Sequence, residues 1–197
     1  MRVSIVIPAY NEENYIEDCL QSIFSLPTQP HEIIVVNNNS TDRSVEIVEQ
    51  FNVTLIHEKE QGMTPARNCG YNAATGDIIA RIDADCRVPH NWLDVIIENF
   101  EQYPDIVALT GLLSYYDSPV PDSTTASRIY LQTAKTIYKH NVLFGGGHAL
   151  RRSAWEKVKD EVCLDDEMVH EDIDLSIHLA EIGEIRFDKN FVTSSSA

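Results

Sequence analysis

Short apolar runs recur along the first 110 residues, and between them apolar residues return every three or four positions. The runs are Val3–Ile7, Ile33–Val36, Val53–Ile56, Ile78–Ile82 and Val107–Thr110. Each has the length of a strand buried on both faces. The stretches between them carry helical spacing: Ile16, Leu20, Ile23 and Phe24; then Val45, Val48 and Phe51; then Trp92, Ile96, Ile97 and Phe100. Asn11 and Ser40 stand where helix caps are expected, Thr64-Pro65 and Pro89 read as helix starts, and Gly76 as a stop. Strands alternating with helices of this length predict an α/β fold, a Rossmann-like mostly parallel sheet flanked by helices on both faces.

The second half has a different texture. Residues 117–127 form a polar stretch with Pro119 and Pro121, and a helix is expected over 127–140. Gly145-Gly146-Gly147 reads as a flexible or tightly turned segment. Ser153 is placed to cap a short helix through Trp155 and Val158, Asp172 to Ile182 reads as a helix stopped by Gly183, and Glu184 to Val192 as a strand. With no internal repeat and no long linker, a single domain is expected, with functional halves at 1–110 and 111–197. The final Thr193–Ala197 brings no closing helix, which leaves a longer parent chain open.

Charge narrows the partners. Fifteen Lys and Arg stand against 31 Asp and Glu, for a net charge of −16. Nucleic-acid binding and an electrostatic hold on anionic lipid both need a cationic surface, so this balance disfavours both. An acidic chain that handled a diphosphate would need a local positive charge, and a metal ion is one source. No apolar run approaches the roughly 20 residues of a membrane span. The run Val3–Ile7 is cut short by Pro8 and the polar Tyr10-Asn11-Glu12-Glu13, unlike a signal peptide. Cys19, Cys69, Cys86 and Cys163 show no C-x-x-C pairing, so reduced thiols and a cytoplasmic setting are expected, with peripheral attachment to the inner face of a membrane left open.

In open α/β sheets ligands sit beyond the carboxyl ends of the strands. Three polar clusters fall there: Pro8-Ala9-Tyr10-Asn11-Glu12, Asn37 to Asp42, and Asp83-Ala84-Asp85. A polar cluster after a strand is commonly just a turn or helix cap, but three in succession point to a site. Asp83 and Asp85 are two carboxylates at i and i+2, a donor set suited to Mg²⁺ or Mn²⁺ that leaves coordination positions for a diphosphate. Glu171 and Asp172 open a helix, where acids are ordinary because of the helix dipole. The functional alternative is a base that takes the proton of an attacking hydroxyl. Arg67, in a first helical turn, has the reach for a phosphate or a base edge, against a plain salt bridge. His148 is a candidate metal ligand or acceptor contact, against the commoner structural histidine.

Taken together these segments resemble the family 2 glycosyltransferases. Ile7 to Glu13 is similar to the family's opening strand motif, Val36 to Asp42 to its second-strand motif, and Gly62 to Gly70 to the helix before its metal motif. Asp83-Ala84-Asp85 matches its D-x-D triplet, Gly147 to Arg152 its acceptor-loop segment, and Glu171-Asp172 its E-D base motif. The resemblance implies a GT-A fold, a divalent metal, a nucleotide diphosphate sugar donor and inversion at the anomeric carbon. It assigns Pro8, Ala9, Tyr10, Glu12, Asn38 and Arg67 to the nucleotide, Asp83 to the ribose or metal side, Asp85 to the metal, and Asp172 to the general base with Glu171 beside it. The acceptor it implies is a hydroxyl on a sugar, a lipid-linked sugar or a protein. The donor it implies is a UDP-sugar, with a GDP-sugar left open because Asn37 and Asn38 stand where the family often carries an acid for uracil. No Q-x-x-R-W-like motif follows Asp172, which disfavours a processive polymerase.

Two other classes compete. A nucleotidyltransferase would normally carry a Gly-rich, basic loop after the first strand, and Pro8 to Glu13 holds neither Gly nor Lys. A silent nucleotide-sugar-binding module is argued against by the acids at 83, 85 and 172.

Overall fold

The computed structural model describes residues 1–117, 124–165 and 168–196. Its strands are β1 Val3–Ala9, β2 Glu32–Asn37, β3 Thr54–His57, β4 Ile78–Ile82, β5 Ile106–Tyr115, β6 Gly147–Arg151 and β7 Glu184–Ser195. Its helices are α1 Ile16–Phe24, α2 Ser44–Val48, α3 Met63–Ala73, α4 Trp92–Gln102, α5 Thr124–Tyr138, α6 Arg152–Val158 and α7 Glu171–Ile182. The strands form one sheet in the order β3-β2-β1-β4-β6-β5-β7. Every neighbouring pair is parallel except those made by β6, which runs against both β4 and β5.

The strands are apolar on both faces because each face has its own helical layer. Along β1, Ile5 and Ile7 join Leu20, Ile23, Trp92 and Ile96 in one core. Val6, between them, points the other way and packs with Ile34, Tyr71, Trp155 and Leu179. The period of two therefore divides one strand between two cores. A smaller cluster under α5 joins Leu131 and Ala134 to Leu112 and Val142.

The expected elements form, with several corrections, one being that Ser153 lies inside α6 and does not cap it. Gly147 closes the expected turn, its amide donating to the Phe144 carbonyl at 3.1 Å, and also opens strand β6, which pairs antiparallel with both β4 and β5. The run Val107–Thr110 extends to Tyr115. Asn11 and Ser40 do not cap helices: Asn11 Oδ1 accepts from the Thr41 amide at 2.8 Å, and the Asn11 amide donates to Ser40 Oγ at 3.0 Å. These bonds stitch the turn after β1 to the turn after β2. Both turns pass through left-handed backbone at an asparagine, Asn11 at φ 56 and Asn39 at φ 64, a conformation asparagine tolerates better than most residues. Finally, α2 is a five-residue helix starting at Ser44, too short to carry Phe51. Of the expected polar stretch 117–127, residues 118–123 lie outside the described residues, and Thr124 to Ser127 already belong to α5. Among the described residues no helix is long and apolar enough to cross a membrane.

Candidate active site

The carboxyl ends of β1, β2, β4, β5 and β7 share one edge of the sheet. Because β6 runs the other way, its first residue, Gly147, pairs with Ile82, the last residue of β4. That register carries Gly145 to the side of Asp83, just past the end of β4. A Cβ on Gly145 would stand 2.7 Å from Asp172 Oδ2 and 3.7 Å from Asp83 Oδ2. The bare backbone of residue 145 thus fits where a side chain would separate the two carboxylates. Asp83, Asp85, Glu171 and Asp172 line one cleft of about 660 Å³, which Gly145, Tyr130 and Ser195 help to close. Residues nearly 90 positions apart are brought together where the first turn of α7 meets the end of β4.

The residue that connects them, Arg81, was missed in the sequence. Its guanidinium is fully buried. Nη1 donates to Asp172 Oδ1 at 3.1 Å and to Glu171 Oε1, and Nη2 donates to Asp83 Oδ1 at 2.9 Å. One cation therefore ties the base motif to the first acid of the D-x-D triplet. The available signal was a lone charge inside the apolar run Ile78-Ile79-Ala80-Arg81-Ile82, since a buried cation has to be paired.

Arg67 lies behind the cleft, against the expectation of a nucleotide contact. It is fully buried, donates through Nη1 to the Glu171 carboxylate and to the Glu171 carbonyl at 2.9 Å, and through Nε to Asn68. Burial favours a neutral Glu171, but Arg81 and Arg67 outweigh it and hold the carboxyl below the ordinary range. Asp172 goes the opposite way. Burial and the adjacent Glu171 charge raise it well above the ordinary range, and Arg81 only partly offsets them. Asp83 is pushed up to about 6 by burial, then lowered by Arg81 and raised by Asp85. Glu12 is pushed up to about 7 by partial burial and by the charges of Asp85, Asp83 and Asp42. Asp85 Oδ2 accepts from the hydroxyls of Ser195 and Ser196, each at 2.9 Å, so the end of β7 orients it.

Two further expectations are corrected. Asn38 has no capacity left for a nucleobase. Its Nδ2 donates to the carbonyls of Glu58 and Glu60, and its Oδ1 accepts from Gln61 Nε2 and the Gly62 amide, which uses all four positions of the amide on the loop before α3. His148 is fully buried within β6 and is not a metal ligand. Its Nδ1 lies 3.1 Å from the Phe144 carbonyl and must carry the hydrogen, so Nε2 accepts from Tyr71 Oη at 2.6 Å. Burial, followed by the Arg81 charge, lowers its pKa to about 3, which keeps the ring neutral. Pro8 and Ala9 are paired within the sheet opposite Val36 and Asn37, whereas Tyr10 is half exposed beyond the strand end.

The residues at the strand ends suit a divalent cation. The charges of Asp83 and Asp85 raise the proton affinity of Glu12, and that of Asp85 raises the proton affinity of Asp83. That mutual repulsion is what a cation relieves, and hard oxygen donors favour Mg²⁺ or Mn²⁺.

The profile of the family described as Glycosyl transferase family 2 matches residues 4–159. Glycosyltransferase AglE of Haloferax volcanii is 38% identical over 154 residues, covering 71% of this chain and 49% of that protein. Among solved structures, Staphylococcus aureus TarS 1–349 in complex with UDP-GlcNAc superposes with a TM-score of 0.75 at 19% identity, over all of this chain and 59% of that one. The mannosyltransferase PcManGT of Pyrobaculum calidifontis, in complex with GDP-Man and Mn²⁺, gives a TM-score of 0.76 at 22% identity, over 99% and 56% of the two chains. The fold is thus of the GT-A type. The chain spans less than two thirds of the length of each of these proteins.

Proposed function

Since the chain belongs to glycosyl transferase family 2, we propose that it moves one sugar from a nucleotide diphosphate sugar to an acceptor hydroxyl, with metal assistance and inversion. The observation that carries this reading is the shared cleft: a buried carboxylate of raised proton affinity, Asp172, beside the Asp83 and Asp85 pair. Asp172 is the general base. Arg81 holds its Oδ1, and its Oδ2 lies against Gly145 at the cleft wall. As the acceptor oxygen attacks the anomeric carbon, its proton passes to Asp172, and the nucleotide diphosphate departs from the opposite face. A single displacement of this kind inverts the centre. The raised proton affinity of Asp172 makes it a stronger base than a solvated aspartate. Glu171, held ionised by two arginines, keeps Arg81 in place and raises its neighbour.

Asp85 and Asp83 are the residues that would hold Mg²⁺ or Mn²⁺, with Glu12 adding charge nearby. Such an ion, when bound, neutralises charge developing on the leaving diphosphate. Residues 1–110 supply the donor side, with Pro8, Ala9, Tyr10 and Glu12 around the nucleotide. Asn38 and Arg67 act there only by shaping the loop and the buried charge. Residues 111–197 supply the acceptor side and the base. The complexes with UDP-GlcNAc and GDP-Man in the similar structures support either nucleotide. The setting we propose is cytoplasmic, at or near the inner face of a membrane, with a sugar, a lipid-linked sugar or a protein as acceptor.

Calorimetry with UDP and GDP, with and without Mn²⁺, tests the reading. Nucleotide affinity should depend on the metal, and Asp85→Asn should remove that dependence together with transfer. Equal affinity in excess chelator would overturn the metal assignment.

A further inference from the structure

A second cavity, of about 510 Å³, adjoins the catalytic cleft and shares Tyr130, Val169 and His170 with it. It runs between α5 and α7. On α5 it is lined at 130, 133, 134, 137 and 138, and on α7 at 173, 174 and 177. Both sets follow the i, i+3, i+4 spacing of a helix face that packs against something. Yet the side chains there are exposed: Ile137 is 66% accessible, Met168 76% and Ile177 39%. Ile129, also on α5, is exposed outside the groove.

The charge of α5 is the second observation. In a chain of 31 acids, residues 124–140 contain no acid and three bases, Arg128, Lys135 and Lys139, all exposed. The net charge of −16 therefore hides one cationic, apolar-faced helix beside the mouth of the site. Exposed aliphatic and aromatic side chains flanked by Lys and Arg suit an anionic lipid surface.

We propose that the α5–α7 groove seats the hydrocarbon chain of a lipid-linked acceptor drawn from an anionic membrane, its head entering the catalytic cleft past Tyr130 and His170. Arg128, Lys135 and Lys139 face the anionic headgroups. The inference deepens the transferase reading and rests on it for the identity of the cleft.

Flotation with phosphatidylcholine vesicles, with and without phosphatidylglycerol, tests this without turnover. The chain should bind the anionic vesicles and hardly the neutral ones. Ile137→Glu with Ile177→Glu removes two apolar contacts and should weaken binding about tenfold or more. Lys135→Glu with Lys139→Glu should weaken binding to anionic vesicles about tenfold or more and leave the weak neutral binding unchanged. Both pairs are at the surface, and an unaltered melting temperature shows that they fold. Titration with dodecyl phosphate below its micelle concentration should give binding that the Ile pair loses. Ethyl phosphate should bind neither form. Vesicle binding that is absent, or indifferent to both pairs, overturns the proposal. So does a dimer in sedimentation that the Ile pair dissolves, since the groove would then be filled by a second copy. Metal-dependent nucleotide binding, measured on the same variants, should be unchanged, and its absence in the parent chain would count against the transferase reading instead.

Discussion

Two groups of acids meet at the cleft and are neutralised in opposite ways. Glu171 and Asp172 have two fully buried arginines against them, Arg67 and Arg81. Glu12, Asp83 and Asp85 share one nitrogen of Arg81 and two serine hydroxyls, and two of the three have pKa values raised to about 6 and 7. The first group carries its cations within the fold, so its geometry persists whatever the solution contains. The second has an excess of negative charge, which protons relieve at low pH and a bound cation would relieve at neutral pH. On the proposed function a base must be in place for every turnover, whereas a metal would arrive and leave with the nucleotide. The division of charge matches that difference.

The largest effect should come from the first group. Asp172→Asn keeps shape and removes basicity, so kcat should fall by about 10²–10⁴-fold while metal-dependent nucleotide binding stays near normal. A variant retaining more than about a tenth of wild-type kcat breaks the assignment, and Glu171 would be the next residue to test.

Arg81→Met separates the groups by stability. It strips the built-in cation from three carboxylates, and breaking a buried ion pair costs about 3–5 kcal/mol. Urea denaturation should show a loss of that size. Asp85→Asn, in the second group, should by contrast leave the metal-free protein as stable as the parent or more so. Equal losses in the two variants would erase the comparison.

The pH dependence of the metal-free protein gives a smaller effect. Glu12 and Asp83 have folded pKa values of about 7 and 6, above their ordinary values. Their protonated forms are favoured by folding, so the stability they contribute is kept at low pH and lost as pH rises through 6 to 7. Asp172, also raised, adds in the same direction. The melting temperature without metal should fall by a few degrees between roughly pH 5.5 and pH 8, and Mn²⁺ should flatten that slope. A slope unaltered by Mn²⁺ would show that the acids are not where the ion binds.

The smallest effect concerns Ser195, which donates to Asp85 Oδ2 at 2.9 Å. Ser195→Ala removes one of two hydroxyls, worth about 0.5–1.5 kcal/mol, so metal-dependent nucleotide affinity should weaken by up to about tenfold. Calorimetry at saturating Mn²⁺ reads it directly.

Much of this molecule is carried by its local sequence pattern. The apolar runs at Val3–Ile7, Ile33–Val36 and Ile78–Ile82 mark the central strands because burial on both faces needs unbroken apolar residues, and that need is local. Asp83, Asp85, Glu171 and Asp172 stood out because their spacing is local too. What the pattern did not reveal depends on contacts between distant segments. Strand β6 hides in Gly147-His148-Ala149-Leu150-Arg151, whose pairing on both sides comes from β4 and β5, elements 65 and 38 residues earlier in the register pairs Ile82 with Gly147 and Thr110 with His148. Arg67 and His148 looked like ligands by residue type and Asn38 by family resemblance, and each is spent on a partner in the fold: Glu171, Tyr71 and the 58–62 loop. A side chain's type states which bonds it is able to make. The tertiary structure decides which of them it makes, because a buried polar group is satisfied by whatever donor or acceptor the packing brings within reach.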